Sequence, residues 1–214
     1  MNQLLEELGQ NLIKGNREEV QRLTSKAVET RLPPAQILND GLLPAMDSVG
    51  KKFREFEFFL PEVLIAASAM KAGMEILQPL LTQTGVKPTG KIILGTVQGD
   101  LHDIGKNLVG MMLQGAGFEV IDVGIDVSPA KFVETAREHS VQVVGLSAML
   151  TTTMLSMKDT IQTFLERGER ENVKIIIGGA PVTENFAREI GADGYAIDAP
   201  SAVTLAKSLL SIKY

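Results

Sequence analysis

The chain has no cysteine, which excludes disulfides, zinc-thiolate sites, iron–sulfur clusters and cysteine nucleophiles. It has no excess of positive charge: 21 Lys and Arg against 26 Asp and Glu leave a net charge of −5, which argues against nucleic acid or an anionic membrane as a partner. No apolar run reaches membrane-spanning length, and the opening Met-Asn-Gln-Leu-Leu-Glu-Glu lacks the basic and apolar regions of a secretion signal. A cytoplasmic protein with no membrane partner is the expectation. What the chain does have is 214 residues of ordinary globular composition, enough for one large domain or two small ones, and two histidines, His102 and His139.

Two rhythms divide it. Up to about residue 84 the apolar residues recur at helical spacing. Leu4, Leu5, Leu8, Leu12 and Ile13 form one stripe, and Val20, Leu23, Ala27 and Val28 a second, opened by Asn16 as a cap with Glu19 three residues on. Pro34 suits the first turn of a third helix, in which Gly41 and Pro44 predict a kink. Pro61 starts a fourth, carrying Val63, Leu64, Ala67, Met70, Met74 and Leu77. The pattern predicts a four-helix bundle over residues 1–84 and a linker at 85–90. From Lys91 to the end, strand candidates at 91–97, 118–123, 141–147, 174–178 and 194–197 alternate with helical stretches near 104–116, 129–139, 152–167 and 183–190, with a last one at 201–212. That alternation predicts a doubly wound, five-stranded parallel sheet of the flavodoxin or Rossmann type over 91–214.

Ligands of such sheets bind beyond the carboxyl ends of the strands, where the strand order reverses. For the order 2-1-3-4-5, the loops after the first, third and fourth strands then share one rim. The first of these holds Gly99-Asp-Leu-His102-Asp-Ile-Gly105, the second Ser147-Ala-Met149-Leu150-Thr151-Thr-Thr153, and the third Gly178-Gly179. A histidine at a buried strand's end with a carboxylate two residues before it is placed to ligate a metal. Asp100, His102 and Asp103 also admit a small divalent-cation cluster, though the rim offers few carboxylates to complete it, and His139 reads as a solvated helix end.

The spacing of these pieces resembles that of the cobalamin-binding proteins. In that family Asp-x-His-x-x-Gly is followed by about 41 residues, Ser-x-Leu, 26 to 28 further residues and Gly-Gly; here Asp100–Gly105 is followed by 41 residues (106–146), Ser147, and after Met149 by 28 residues (150–177) before Gly178-Gly179. The one departure is Met149 for leucine, a volume-conserving apolar swap. The resemblance implies that the cofactor's own base leaves cobalt and its tail enters a slot lined by Ser147, Met149, Leu150, Thr151, Gly178 and Gly179. Gly99, Asp100, Leu101, His102, Asp103, Ile104 and Gly105 would form the loop beneath the corrin, with His102 on cobalt and a relay from its ring through Asp100 to Thr153.

The helical half is similar to the cap of methionine synthase and of the small corrinoid proteins of methyltransferase systems, and Phe58-Phe59-Leu60-Pro61 looks like the cap's Phe-Leu-Pro signature, with Phe59 over the corrin's upper face. No stretch of the chain is long enough for a substrate-holding (β/α)₈ barrel. The resemblance therefore implies a carrier, cycling between cob(I)alamin and methylcobalamin. A substrate-specific methyltransferase would load it, and a second methyltransferase acting on tetrahydrofolate or coenzyme M would unload it. A reductive activator would keep the cobalt competent, and the linker would hinge. The alternative is a cobalamin-binding sensor module acting through a partner.

Overall fold

A computed structural model describes residues 3–85 and 87–212; Val86 of the expected linker, like Met1, Asn2, Lys213 and Tyr214, lies outside the described residues. The chain forms two compact units, one made by the chain up to Pro88 together with Gln114–Gly117 and the other by the rest.

The helical unit consists of α1 (Gln3–Ile13), α2 (Arg17–Glu29), a short α3 (Pro34–Gln36), a π-helical turn (Ile37–Leu42), α4 (Leu43–Arg54) and α5 (Leu60–Gln83). Leu5, Leu8 and Leu12 of α1, Val20 and Leu23 of α2, Leu42, Val49 of α4 and Met70 and Leu77 of α5 are all buried. Each such side chain contributes about 1.5–3 kcal/mol on removal from water. The kink expected from Gly41 and Pro44 is the π turn. Proline has no N–H to give the carbonyl four residues back, and the Leu43 N–H bonds the carbonyl of Leu38, five residues back. Asn16 stands at the N-cap of α2, but its side chain makes no cap bond. Its Nδ2 donates to Asn11 Oδ1 at 2.9 Å, while Glu19 pairs with Arg22. At the start of α5, Glu62 accepts the Phe59 N–H at 2.9 Å, satisfying one of the donors a helix start leaves open.

The second unit alternates β1 (Lys91–Thr96), α6 (Ile104–Gly115), β2 (Glu119–Asp122), α7 (Pro129–His139), β3 (Val143–Ser147), α8 (Leu155–Glu166), β4 (Lys174–Gly178), α9 (Glu184–Ile190), β5 (Gly194–Ala196) and α10 (Ala199–Leu209). The strands are all parallel, in the order β2-β1-β3-β4-β5. The middles of β1, β3 and β4 are buried and mostly Val, Ile and Leu, because helices cover both sides of such a sheet, while the edge strands β2 and β5 are only partly buried. Phe132 of α7 and Phe164 of α8 are fully buried in the core that includes Ile93, Val144 and Ile175. β3 begins at Val143, since Val141 and Gln142 still close the turn after α7, where the Val141 N–H bonds the Ala136 carbonyl. α10 starts at Ala199, earlier than its apolar spacing suggests, because the Asp198 carboxylate caps the Ser201 N–H at 2.7 Å.

Register decides what meets at the rim. Thr96 of β1 lies beside Ser147 of β3, and Ser147 beside Gly178 of β4, so one row crosses the ends of three neighbouring strands. The order reverses between β1 and β3, which puts the loops carrying His102 and Met149 on either side of the switch point.

Candidate functional site

Asp100 is the centre of the rim. It is an aspartate with no solvent exposure, a costly placement unless every lone pair is used. Its Oδ1 accepts the His102 N–H at 3.1 Å and faces His102 Nδ1 at 2.8 Å. Its Oδ2 accepts the Thr153 hydroxyl at 2.6 Å and the Met149 N–H at 2.7 Å. Burial alone pushes this carboxyl up, but the bonds from the Thr153 hydroxyl, the Met149 and His102 amides and the His102 ring outweigh it and hold it well below the usual carboxylate range. An ionised carboxylate only accepts, so Nδ1 carries a proton directed at Asp100, and Nε2 is the ring nitrogen left without a protein partner among the described residues. The His102 side chain is 56% exposed. The geometry thus presents one fixed imidazole nitrogen at the rim, braced by a buried carboxylate and, behind it, a hydroxyl.

Around this centre the other residues fall in distinct positions. Leu101, Ile104 and Gly105 are exposed, as are Met149, Leu150 and Thr151 across the switch point. Asp103 turns away to accept Asn107 Nδ2 at 3.0 Å, and among the described residues no three acidic or histidine side chains converge on a cation site. Ser147 is half-buried, with no hydrogen-bond partner for its hydroxyl among the described residues. Gly179 has φ +132°, and a Cβ there would lie 1.8 Å from the Ala148 carbonyl oxygen. The close approach that demands glycine is therefore made by the protein's own β3 loop, where the sequence suggested room for a ligand. At Gly105 a Cβ would meet nothing within 4 Å, so the space beside the histidine loop is open. Phe59 belongs to the helical unit, at the N-cap of α5, and is 61% exposed. His139 ends α7 and is exposed.

Comparison with known proteins adds the decisive observation. Residues 90–204 match the family described as B12 binding domain, and residues 4–78 match a second family of the same description. The chain belongs to the B12-binding corrinoid proteins. It is 46% identical over 211 residues to dimethylamine corrinoid protein 2 of Methanosarcina acetivorans, covering 97% of this chain and 96% of that one. It is 43% identical over 210 residues to a corrinoid protein of Desulfitobacterium hafniense, covering 97% of each. Among solved structures, the methanol:cobalamin methyltransferase complex of Methanosarcina barkeri aligns with TM-score 0.87 at 26% identity, over 100% of this chain and 81% of that one. A cobalamin-binding protein of D. hafniense aligns with TM-score 0.80 at 32% identity, over 96% and 98%.

The residues of this corrinoid protein fit a cobalamin. A corrin is broad and largely apolar, and the rim leaves large apolar side chains uncovered where turns are ordinarily polar. Ile104, which opens α6, is 75% exposed and Ile197, after β5, 76%; Leu101, Ile125, Met149 and Leu150 in the loops and Leu155 at the start of α8 are exposed beyond the strand ends as well. The Nε2 of His102, without a protein partner among the described residues, suits a first-row transition metal, for which imidazole is a common ligand, and the Ser147 hydroxyl suits a polar tail entering between β3 and β4. Ile125, Leu155 and Ile197 were not singled out in the sequence. Their signal was there, as apolar residues at strand ends. Nor does spacing reveal that Met149 contributes a backbone N–H to Asp100 as well as a side chain.

Proposed function

We propose that this corrinoid protein is a cytoplasmic methyl carrier, binding cobalamin with its own base displaced and His102 beneath the cobalt. It would receive a methyl group from a substrate-specific methyltransferase and yield it to a second methyltransferase acting on tetrahydrofolate or coenzyme M. When bound, cobalamin supplies a cobalt centre that accepts a methyl group from a donor and releases it to a nucleophile. The observation that carries the reading is the chain from His102 Nδ1 to Asp100 (2.8 Å) to the Thr153 hydroxyl (2.6 Å), which leaves Nε2 alone as the outward ligand.

In this reading the protein's residues have separate tasks. Asp100 fixes the tautomer and the ring direction of His102, and Thr153 holds Asp100. Were the imidazole to leave the metal, Nε2 would be the nitrogen open to a proton while Nδ1 kept its bond to Asp100, which would tie changes at cobalt to proton uptake. Gly99, Leu101, Asp103, Ile104 and Gly105 would lie beneath the ring, and Ser147, Met149, Leu150, Thr151, Gly178 and Gly179 would line the slot for the tail, Gly179 by letting the β3 and β4 loops close on each other. Residues 1–84 serve as a cap domain whose Phe59 shields the methyl-bearing face, residues 91–214 serve as the cobalamin domain, and residues 85–90 join them. A reductive activator restores cobalt that has been oxidised. Support for the partners comes from relatives named dimethylamine corrinoid proteins and from the methyltransferase complex of like fold.

The test is to load the full chain with cobalamin, reduce it and offer isotope-labelled methyl iodide. A carrier takes up one label per bound cobalamin and gives it up when a methyltransferase and its acceptor are added, dimethylamine being the first natural donor to try on the loading side. A protein that takes up no label, or keeps it through every acceptor reaction, is a sensor and overturns the proposal.

A further inference from the structure

The loop from Val97 to Asp103, between β1 and α6, has no ladder of its own, yet the imidazole it carries must be held within a fraction of an ångström to serve a metal. Asp100 and Thr153 fix the ring. Asp100 also holds the His102 N–H at 3.1 Å, and the Ser156 hydroxyl donates to the Gln98 carbonyl at 3.0 Å, but neither holds the His102 carbonyl or the two ends of the Gly99–Asp100 segment.

Two other residues do. Thr96 is the last residue of β1 and is fully buried, following Ile92 and Leu94 on the same face of the strand. A buried hydroxyl among aliphatic neighbours is costly unless bonded. This one donates to the backbone carbonyl of His102 at 2.9 Å. On the loop's other side Asp126, in the β2–α7 connection, adopts a left-handed backbone with φ +52°, which an aspartate tolerates better than most residues. Its Oδ1 accepts the Gly99 N–H at 2.7 Å, and its own N–H donates to the Asp100 carbonyl at 3.0 Å. The two bonds bracket the Gly99–Asp100 peptide, which sets where the Asp100 side chain enters the protein.

We propose that Thr96 and Asp126 are positioning residues that brace the loop carrying His102 from two sides, Thr96 at the His102 carbonyl and Asp126 at Gly99 and Asp100, so that the imidazole meets the metal without reorganisation. This rests on the reading of His102 as the lower cobalt ligand. Neither residue is on the β3 or β4 loops assigned to the cofactor tail. Loss of the brace therefore lowers the share of bound cobalamin that carries the protein's imidazole more than it lowers the affinity for the whole cofactor.

The experiment uses the full chain loaded with hydroxocobalamin and reduced to the Co(II) state. Nitrogen splitting in the electron paramagnetic resonance spectrum reports the ligated fraction, and a binding titration reports total affinity. Thr96→Val, which keeps the shape and removes the hydroxyl, is expected to shift the ligated-to-unligated ratio on the order of tenfold. Thr96→Ser, which keeps the hydroxyl, restores it. Asp126→Gly keeps the left-handed backbone and loses the acceptor, and shifts the ratio in the same direction by a smaller factor. Asp126→Asn keeps both and behaves as the unsubstituted protein. If Thr96→Val prevents folding, the exposed Asp126 pair carries the test. Full ligation in Thr96→Val and Asp126→Gly overturns the inference, and so does failure of Ser and Asn to restore it, which would assign the effect to packing. Absence of protein-nitrogen splitting in the unsubstituted chain overturns the reading of His102 itself, and the inference with it.

Discussion

The helical unit and the sheet unit both leave large apolar side chains uncovered, but in different company. In the helical unit these are Phe56, Phe59, Leu60, Leu64 and Ile65, gathered in the α4–α5 loop and the first turns of α5, with no buried polar group among them. In the sheet unit most of the uncovered residues lie just after the strands, in the same rim as a buried carboxylate with four donors aimed at it. Apolar surface alone lets a unit cover a ligand, with little discrimination. A fully satisfied buried polar network fixes one atom in one direction, at high cost if any member is lost. The difference teaches where a single atom can be fixed: the sheet unit holds a satisfied buried polar network at its rim, and the helical unit's uncovered face is apolar alone.

If so, substitutions in the sheet rim have large, specific effects and those in the helical face small ones. The largest effect on stability is expected for Gly179→Ala. A Cβ 1.8 Å from a backbone oxygen forces β3 and β4 apart at their ends, at a cost of roughly 3 kcal/mol or more, measurable by denaturant unfolding. Asp100→Ala comes next: it strips the brace from His102 and is expected to weaken cobalamin binding or methyl transfer on the order of 10–100-fold. The smallest effect tests the comparison from the other side. Phe56 sits at the αL position after α4 with φ +59° and is 80% exposed, so Phe56→Gly relieves strain at the loss of little packing. It should raise the unfolding free energy by about 0.5–1 kcal/mol. A destabilised Phe56→Gly, or an Asp100→Ala that binds as well as the unsubstituted chain, would break the contrast between the units.

Acid sharpens it. The folded Asp100 carboxyl is held below its ordinary value, so its ionised form stabilises the fold at all pH above the unfolded pKa of about 3.9, and that contribution fades as pH falls towards the folded value. The difference in melting temperature between the unsubstituted chain and Asp100→Asn is therefore expected to be constant above about pH 5 and to shrink below about pH 4. A difference unchanged down to pH 3 would mean that Asp100 is not the ionised hub of the rim.

The strands and most helices were legible because parallel strands buried on both faces read as unbroken apolar runs, and because Gly, Pro and polar clusters separate them. The residues of the rim were marked by a spacing that resembles the cobalamin-binding signature, and Thr153 by the resemblance to methionine synthases, which carry a hydroxyl six residues after the motif serine. Contacts made by backbone across long separations were not. The Met149 N–H and the Asp100 carboxylate are 49 positions apart, and Gly99 and Asp126 are 27 apart; no periodicity encodes which amide will face which oxygen. The Asn16 cap failed for a local reason, since the side chain of Asn11, one turn earlier in the chain, competes for it.

The central claim is that His102 is the atom the protein offers to cobalt. The chain has only two histidines, so labelling with ¹⁵N-histidine in an otherwise ¹⁴N protein gives a direct reading in the Co(II) form of bound cobalamin. A histidine ligand predicts that each cobalt line, split into a triplet by ¹⁴N, becomes a doublet in the labelled protein, and that the doublet disappears in His102→Ala while surviving in His139→Ala. A triplet that persists in the labelled protein would place the cofactor's own base on the metal and contradict the account.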